Sequence, residues 1–172
     1  MKTTLICLLL LTLSHCVLSQ EFYALNEPLK TLDGSLIEMN DVLTSSQGTI
    51  LIFWETNSKQ CCNNLENLQE SWVEELKKLD IELIAICMNC PGSWTRVKPM
   101  VAGKGWDFDV YIDVNGNLKR TLGITTAPYT ILLDGDKNIR CRYPGYCSGD
   151  EVQICEKIKH CLENHGDLAA LK

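Results

Sequence analysis

The sequence predicts an α/β fold: a central mixed sheet with helices on both faces and an N-terminal β-hairpin extension. Three observations carry this. Thr49 to Trp54 is a continuous apolar run, the pattern of a strand buried on both faces, and Ile81 to Cys87 is another apolar strand. Between them, from Cys61 to Lys78, Leu65, Leu68, Trp72 and Leu76 recur at helical spacing. Hairpin patterns stand at both ends of this alternation. A strand, a helix and a second strand in that order imply parallel pairing, because the helix carries the chain back across one face of the sheet.

In chain order, residues 1–19 read as a signal peptide. Lys2 supplies the positive start, Leu5 to Leu13 the apolar run, and Val17-Leu18-Ser19 the cleavage region. The run is too short for a stable membrane span. A lipidated Cys16 is disfavoured, since His15 precedes it where a small residue is wanted. Residues 20–172 then form a single domain, long enough for a sizeable core. Leu29 to Met39 reads as a hairpin about Asp33-Gly34. A short helix follows Ser93. Phe108 to Ile112 is a strand ending in an Asn115-Gly116 turn. Thr130 to Leu133 and Asn138 to Arg142 form a second hairpin across Gly135. Ser148 opens a last helix, with Glu151 three residues on as a capping box.

The formal charge is −6, and loss of the leading segment, which holds Lys2 and no acid, lowers it by one. With no basic patch, nucleic-acid binding is excluded. No second apolar segment is long enough to span a membrane.

The chemistry lies in the cysteines. Of ten, Cys7 and Cys16 leave with the leading segment, and an even set remains, as in disulfide-bearing exported proteins. Active sites in such sheets lie beyond the carboxyl ends of the strands. Cys61 and Cys62 follow the strand ending at Trp54, and Cys87 and Cys90 follow the strand ending near Ile86. Cys87-Met88-Asn89-Cys90 is either a closed structural disulfide or a relocated redox site working with Cys61 or Cys62. A bond between the adjacent Cys61 and Cys62 would force a strained ring. Four thiolates suit zinc or copper(I), but this spacing is not a common zinc pattern, so no metal and no cofactor is expected. Cys141 and Cys147 flank a turn that a structural bridge would close. Cys155 and Cys161 lie about 120° apart around one helix and do not face each other. Cys155 either pairs with the Cys141/Cys147 segment or is a buried thiol. His160 and His165 are the only histidines outside the leading segment, too few and too far along the chain for a Cys–His pair.

Ile50-Leu51-Ile52-Phe53-Trp54, with Ser58-Lys59-Gln60-Cys61 four residues later, resembles the thioredoxin superfamily, specifically the TlpA/ResA-type exported thiol-disulfide oxidoreductases. Leu32-Asp33-Gly34, Tyr111 to Gly116 and Gly123 to Thr130 resemble further segments of that family, in the same order. The resemblance implies a thioredoxin-like fold, a cis-proline at Pro128, and a backbone at Ala127 that pairs with substrate. It implies cysteine-containing proteins or a redox partner as the partners, in the periplasm or at the cell surface if bacterial and otherwise in a secreted setting.

The family's Cys-x-x-C slot here holds Ser58, which cannot act as the attacking thiolate and reads as a helix N-cap. Asn57 and Ile52 also depart from the family pattern. Cys61 falls at the family's buried resolving position. Candidate reactive residues are therefore Cys61, Cys62, Cys87 and Cys90. The alternative is a non-catalytic binding module that keeps the Pro128 loop for docking. A lesser alternative is a thiol peroxidase resembling the peroxiredoxins, with Ser58 three residues before Cys61. Trp54 stands where that family has proline, and its activating arginine is missing around Ala127-Pro128-Tyr129.

Overall fold

The computed structural model describes residues 26–44, 46–88 and 94–163. The expected signal segment, Cys90 and the side chain of Cys161 lie outside the described residues. The strands are β1 (Pro28–Lys30), β2 (Leu36–Glu38), β3 (Gly48–Trp54), β4 (Ile81–Cys87), β5 (Asp109–Ile112), β6 (Tyr129–Asp134) and β7 (Ile139–Pro144). The α-helices are α1 (Met39–Val42), α2 (Lys59–Ser71), α3 (Val97–Lys104), α4 (Asn117–Thr121) and α5 (Asp150–Glu163). The strands form one mixed sheet in the order β2-β1-β5-β4-β3-β6-β7. β3, β4 and β5 are parallel, β6 pairs antiparallel with β3, and β7 pairs antiparallel with β6. The leading hairpin joins the far side through Lys30 and Ile112. The expected mixed sheet, with helices on both faces, is present.

Every residue of β3 is buried, as its continuous apolar run requires. Ile50, Ile52 and Trp54 pack under α2, α3 and α5, with Leu65, Leu68, Val97, Ile154 and Ile158. Leu51 and Phe53 face the other way, onto Met39 and Val42 of α1 and Leu118 of α4. The alternation places Trp54 and Cys87, paired in register at the carboxyl ends of β3 and β4, on the α2 face.

Several boundaries depart from expectation for local reasons. The helix expected over Cys61 to Lys78 is α-helical only to Ser71. It continues through a π-helical turn at Trp72–Leu76 and a 3₁₀ turn at Lys77–Leu79, and stops at Asp80 in the left-handed region (φ 59°). Met39 does not extend the hairpin but opens α1. The Asn115-Gly116 turn leads into a further short helix, α4, beyond the expected elements. Its first N–H groups, from Leu118 and Lys119, donate to the buried Asp113 carboxylate at 3.3 and 2.9 Å. The last helix begins at Asp150, not at Ser148. Its first-turn carboxylates reach back instead: Asp150 accepts from the Cys147 N–H at 2.6 Å and Glu151 from the Gly149 N–H at 3.0 Å. A register shift between Leu132 and Leu133 inserts Arg140 into β7 as a bulge. Cys141 and Tyr143 therefore pack on the α2 face, and Ile139 on the opposite one.

Candidate functional site

After Trp54 the chain turns and enters α2. Ser58 is extended (φ −106°, ψ 112°), and its Oγ accepts the Cys61 N–H at 3.2 Å, so Ser58 is the expected N-cap. Cys61 then lies on the same helical stripe as Leu65, Leu68 and Trp72, and its exposure is 0%. Burial pushes its thiol up, hydrogen bonding of the sulfur to the Ser58 side chain and to the Glu55 backbone opposes that, and the charges of Glu55 and Cys62 add to it.

Cys62 is one residue further and about 100° around the helix. That rotation takes it off the core stripe, and it is half-buried. It faces an ion pair between Glu66, one turn along α2, and Lys104, the last residue of α3, with Lys104 Nζ 2.6 Å from Glu66 Oε1. Burial raises the Cys62 thiol most, the Lys104 ammonium pulls it down, and Glu66 pushes it up. Lys104 is in turn raised, first by its hydrogen bond to Glu66 and in part by Cys62. α3 stops at Gly105, whose φ of 65° closes the helix through its N–H to the Val101 carbonyl at 3.1 Å.

Cys87 ends β4, is fully buried and belongs to the same core cluster as Cys61. The fold thus brings Cys61, Cys62 and Cys87 to one end of the sheet, while Cys90 lies outside the described residues. The Ala127–Pro128 peptide is cis, as the resemblance implied. Pro128 is buried and Ala127 half-buried. The Gly145 N–H donates to the Pro128 carbonyl at 2.8 Å. Gln60 Nε2 donates to the Tyr146 carbonyl, and the Tyr146 hydroxyl accepts from Asn67 and donates to Glu151. These bonds tie the start of α2 to the β7–α5 loop and that loop to Pro128. Beside them, on the flank of α2 away from Cys62, Lys59, Gln60, Asn63, Asn67, Tyr146 and Ser148 line a polar cavity of about 360 Å³.

The remaining cysteines are apart from this end. The bridge expected between Cys141 and Cys147 is not formed, and both are free thiols. Cys141 sits within β7, turned to the core, whereas Cys147 is exposed in the loop beyond. Cys155 is a free buried thiol, one of the two expected outcomes. Its pKa is pushed up to about 11 by burial, with Glu75 adding to the shift and Lys159 and Ser71 opposing it. Among the described residues no cluster of three or more His, Cys, Asp or Glu side chains is arranged to hold a metal ion.

Two residues went unnoticed in the sequence. Lys104 is one. The other is Asn64, 0% exposed, whose amide nitrogen and oxygen have no hydrogen-bond partner among the described residues. Leaving such groups unmet costs about 1–3 kcal/mol each. Its signal was a polar residue on the core stripe, three positions after Cys61.

Residues 22–142, more than half of the chain, match the AhpC/TSA family. The chain belongs to the AhpC/TSA family. It is 29% identical over 108 residues to the thiol-disulfide oxidoreductase ResA of Bacillus thuringiensis subsp. konkukian, and equally to that of Bacillus cereus. The match covers 63% of this chain and 60% of each relative, so the chain spans about three fifths of their length. Among solved structures, an uncharacterized thioredoxin-like protein from Porphyromonas gingivalis superposes with a TM-score of 0.71 at 27% identity, covering 83% of this chain and 92% of that one. A putative thiol:disulfide interchange protein DsbE from Chlorobium tepidum gives 0.68 at 17% identity, with 78% and 92% covered. StoA from Bacillus subtilis gives 0.58 at 21%, with 75% and 94% covered. These last two show the fold alone. The family member described here has a thioredoxin-like fold. Among the described residues, no helix is long and apolar enough to cross a membrane.

Proposed function

We propose that the protein is an exported thiol-disulfide exchange protein with an altered active site, acting on cysteine-containing protein partners. The observation that carries this is the gathering of Cys61, Cys62 and Cys87 at the carboxyl ends of β3 and β4. The chain supplying them has relatives named as thiol-disulfide oxidoreductases. Ser58 keeps the helix start and gives up the thiol, so exchange proceeds from another cysteine of the group. Residues 1–19 act as the export signal, and 20–172 as one domain. The site of action is the periplasm or cell surface in a bacterium, and a secreted setting otherwise. Ala127 and Pro128 dock the partner's extended chain. No cofactor takes part, because sulfur carries the electrons.

The test is to trap mixed disulfides from the native compartment with the wild type and with Cys61→Ser, Cys62→Ser, Cys87→Ser and Cys90→Ser. Loss of trapped partners in at least one variant is expected. If no variant differs from wild type and no partner is trapped, the protein is instead a binding module, a reading favoured by the complete burial of Cys61. Rapid peroxide consumption that is lost in Cys61→Ser would move the reading to a thiol peroxidase.

A further inference from the structure

Resting on the exchange reading above, we infer that Cys62 is the thiol that meets the substrate disulfide, and that it works as a single-thiol exchanger with the Lys104 ammonium, held by Glu66, as its counter-ion. Access decides between the adjacent cysteines. An incoming sulfur must line up with the attacking one, and Cys61 is covered by the core while Cys62 reaches the surface. Cys62 and Glu66 are four residues apart and share a face of α2. Lys104 closes that face from α3, 2.6 Å from the Glu66 carboxylate. The mutual effect of Lys104 and Cys62 on each other's titration follows from this arrangement. The charged groups facing Cys62 are Glu66 from its own helix and Lys104 from α3, with the Cys61 thiol beside it. Cys62 also lies in the first turn of a long helix, where the dipole favours an anion.

Among the described residues the neighbours of Cys62 point to a single-thiol step, and Cys87 is closed off by full burial. Ser58 has no sulfur, and Cys61 can reach Cys62 only through the strained ring of an adjacent pair. The Cys62 thiolate attacks one sulfur of the partner disulfide. The Cys62–sulfur bond forms, the partner's sulfur–sulfur bond breaks, and the departing sulfur leaves as a thiolate that takes a proton from water. A low-molecular-weight thiol, or a second cysteine of the partner, then attacks the mixed disulfide. This restores the Cys62 thiolate and leaves a new disulfide on the incoming group. No net electrons are gained or lost by the protein.

The test treats the full mature chain with an aromatic disulfide, dithiobis(nitrobenzoate), and locates adducts by peptide mass mapping. One aryl thiol released for each stable aryl adduct on Cys62 is expected. Release of a second aryl thiol, with Cys62 in an internal disulfide, would overturn the single-thiol step. An unlabelled Cys62 beside a labelled Cys147 would overturn the choice of Cys62. Alkylation rates, referenced to the exposed Cys147 of the same molecule, test the counter-ion. Lys104→Met should slow Cys62 about three- to fivefold at pH 8, the scale of a solvent-screened ion pair. Glu66→Gln should speed it about twofold, since it removes the opposing charge. Unchanged rates, or changes of the same sign, would overturn the role of Lys104; matching thermal melts exclude misfolding as the cause. Partners trapped through Cys61 or Cys87 while Cys62 stays inert would sink this inference and leave the exchange function standing. A reactive Cys62 that traps no partner would do the reverse.

Discussion

Cys62 and Cys155 lie near opposite flanks of α2, and each sits beside a lysine–glutamate pair: Glu66–Lys104 in one case, Glu75–Lys159 in the other. The two thiols are nonetheless set differently. Cys155 is 4% exposed, and the Glu75 carboxylate acts on it more strongly than the Lys159 ammonium. Cys62 is half-buried, and for it the ammonium outweighs the carboxylate. The same pair of charges therefore disfavours the thiolate on one flank and favours it on the other. Exposure and the order of the two charges decide which, not the presence of a cation.

A buried charge tests this contrast most severely. Cys155→Asp is expected to cost about 3 kcal/mol, the scale of an uncompensated buried charge. Cys62→Asp should cost under about 1 kcal/mol, as at other partly exposed positions. Urea denaturation of both variants reads the difference, and equal costs would break the comparison. The pH dependence is the next largest effect. The folded Cys155 titrates at about 11, above its ordinary value of 9.0, so the folded protein keeps a proton that the unfolded chain releases. Its contribution is complete below pH 9 and is lost as pH rises toward 11, on the order of 2 kcal/mol. Denaturation midpoints measured from pH 8 to 11.5 should fall less steeply in Cys155→Ala. The smallest effect concerns the helix start on which both flanks hang. Ser58→Ala should cost about 1 kcal/mol and push the Cys61 thiol further up, because the lost hydrogen bond lowered it. Thiol titration by ultraviolet absorbance checks the direction.

The strands were legible because β3 and β4 are buried on both faces, and their sequences show it with Glu82 as the one charged residue in the two. The core stripe of α2 was equally plain, and the rotation that separates Cys61 from Cys62 was implicit in it. Cys61 and Cys62 nonetheless stood side by side as candidate reactive residues, because motif spacing draws attention to position and not to direction. The charge beside Cys62 could not be read, since Lys104 reaches it from another helix. α4 escaped because its five residues bury one apolar side chain, Leu118, and its start is stabilised by Asp113, which lies outside it. The β7 bulge that turns Cys141 inward leaves no mark in the apolar pattern.

Gly105 closes α3 in a left-handed conformation with open space around it, so a side chain there would meet no atom and only the backbone would resist. The residue just before it is Lys104. A methyl group at position 105, touching nothing, would favour a different exit from the helix and swing the lysine's stem with it. The reactivity of a sulfur on α2 is thus inherited in part from the handedness of one peptide unit on α3. Sequence change at a residue with no side chain can retune the thiol while leaving every group around it chemically intact.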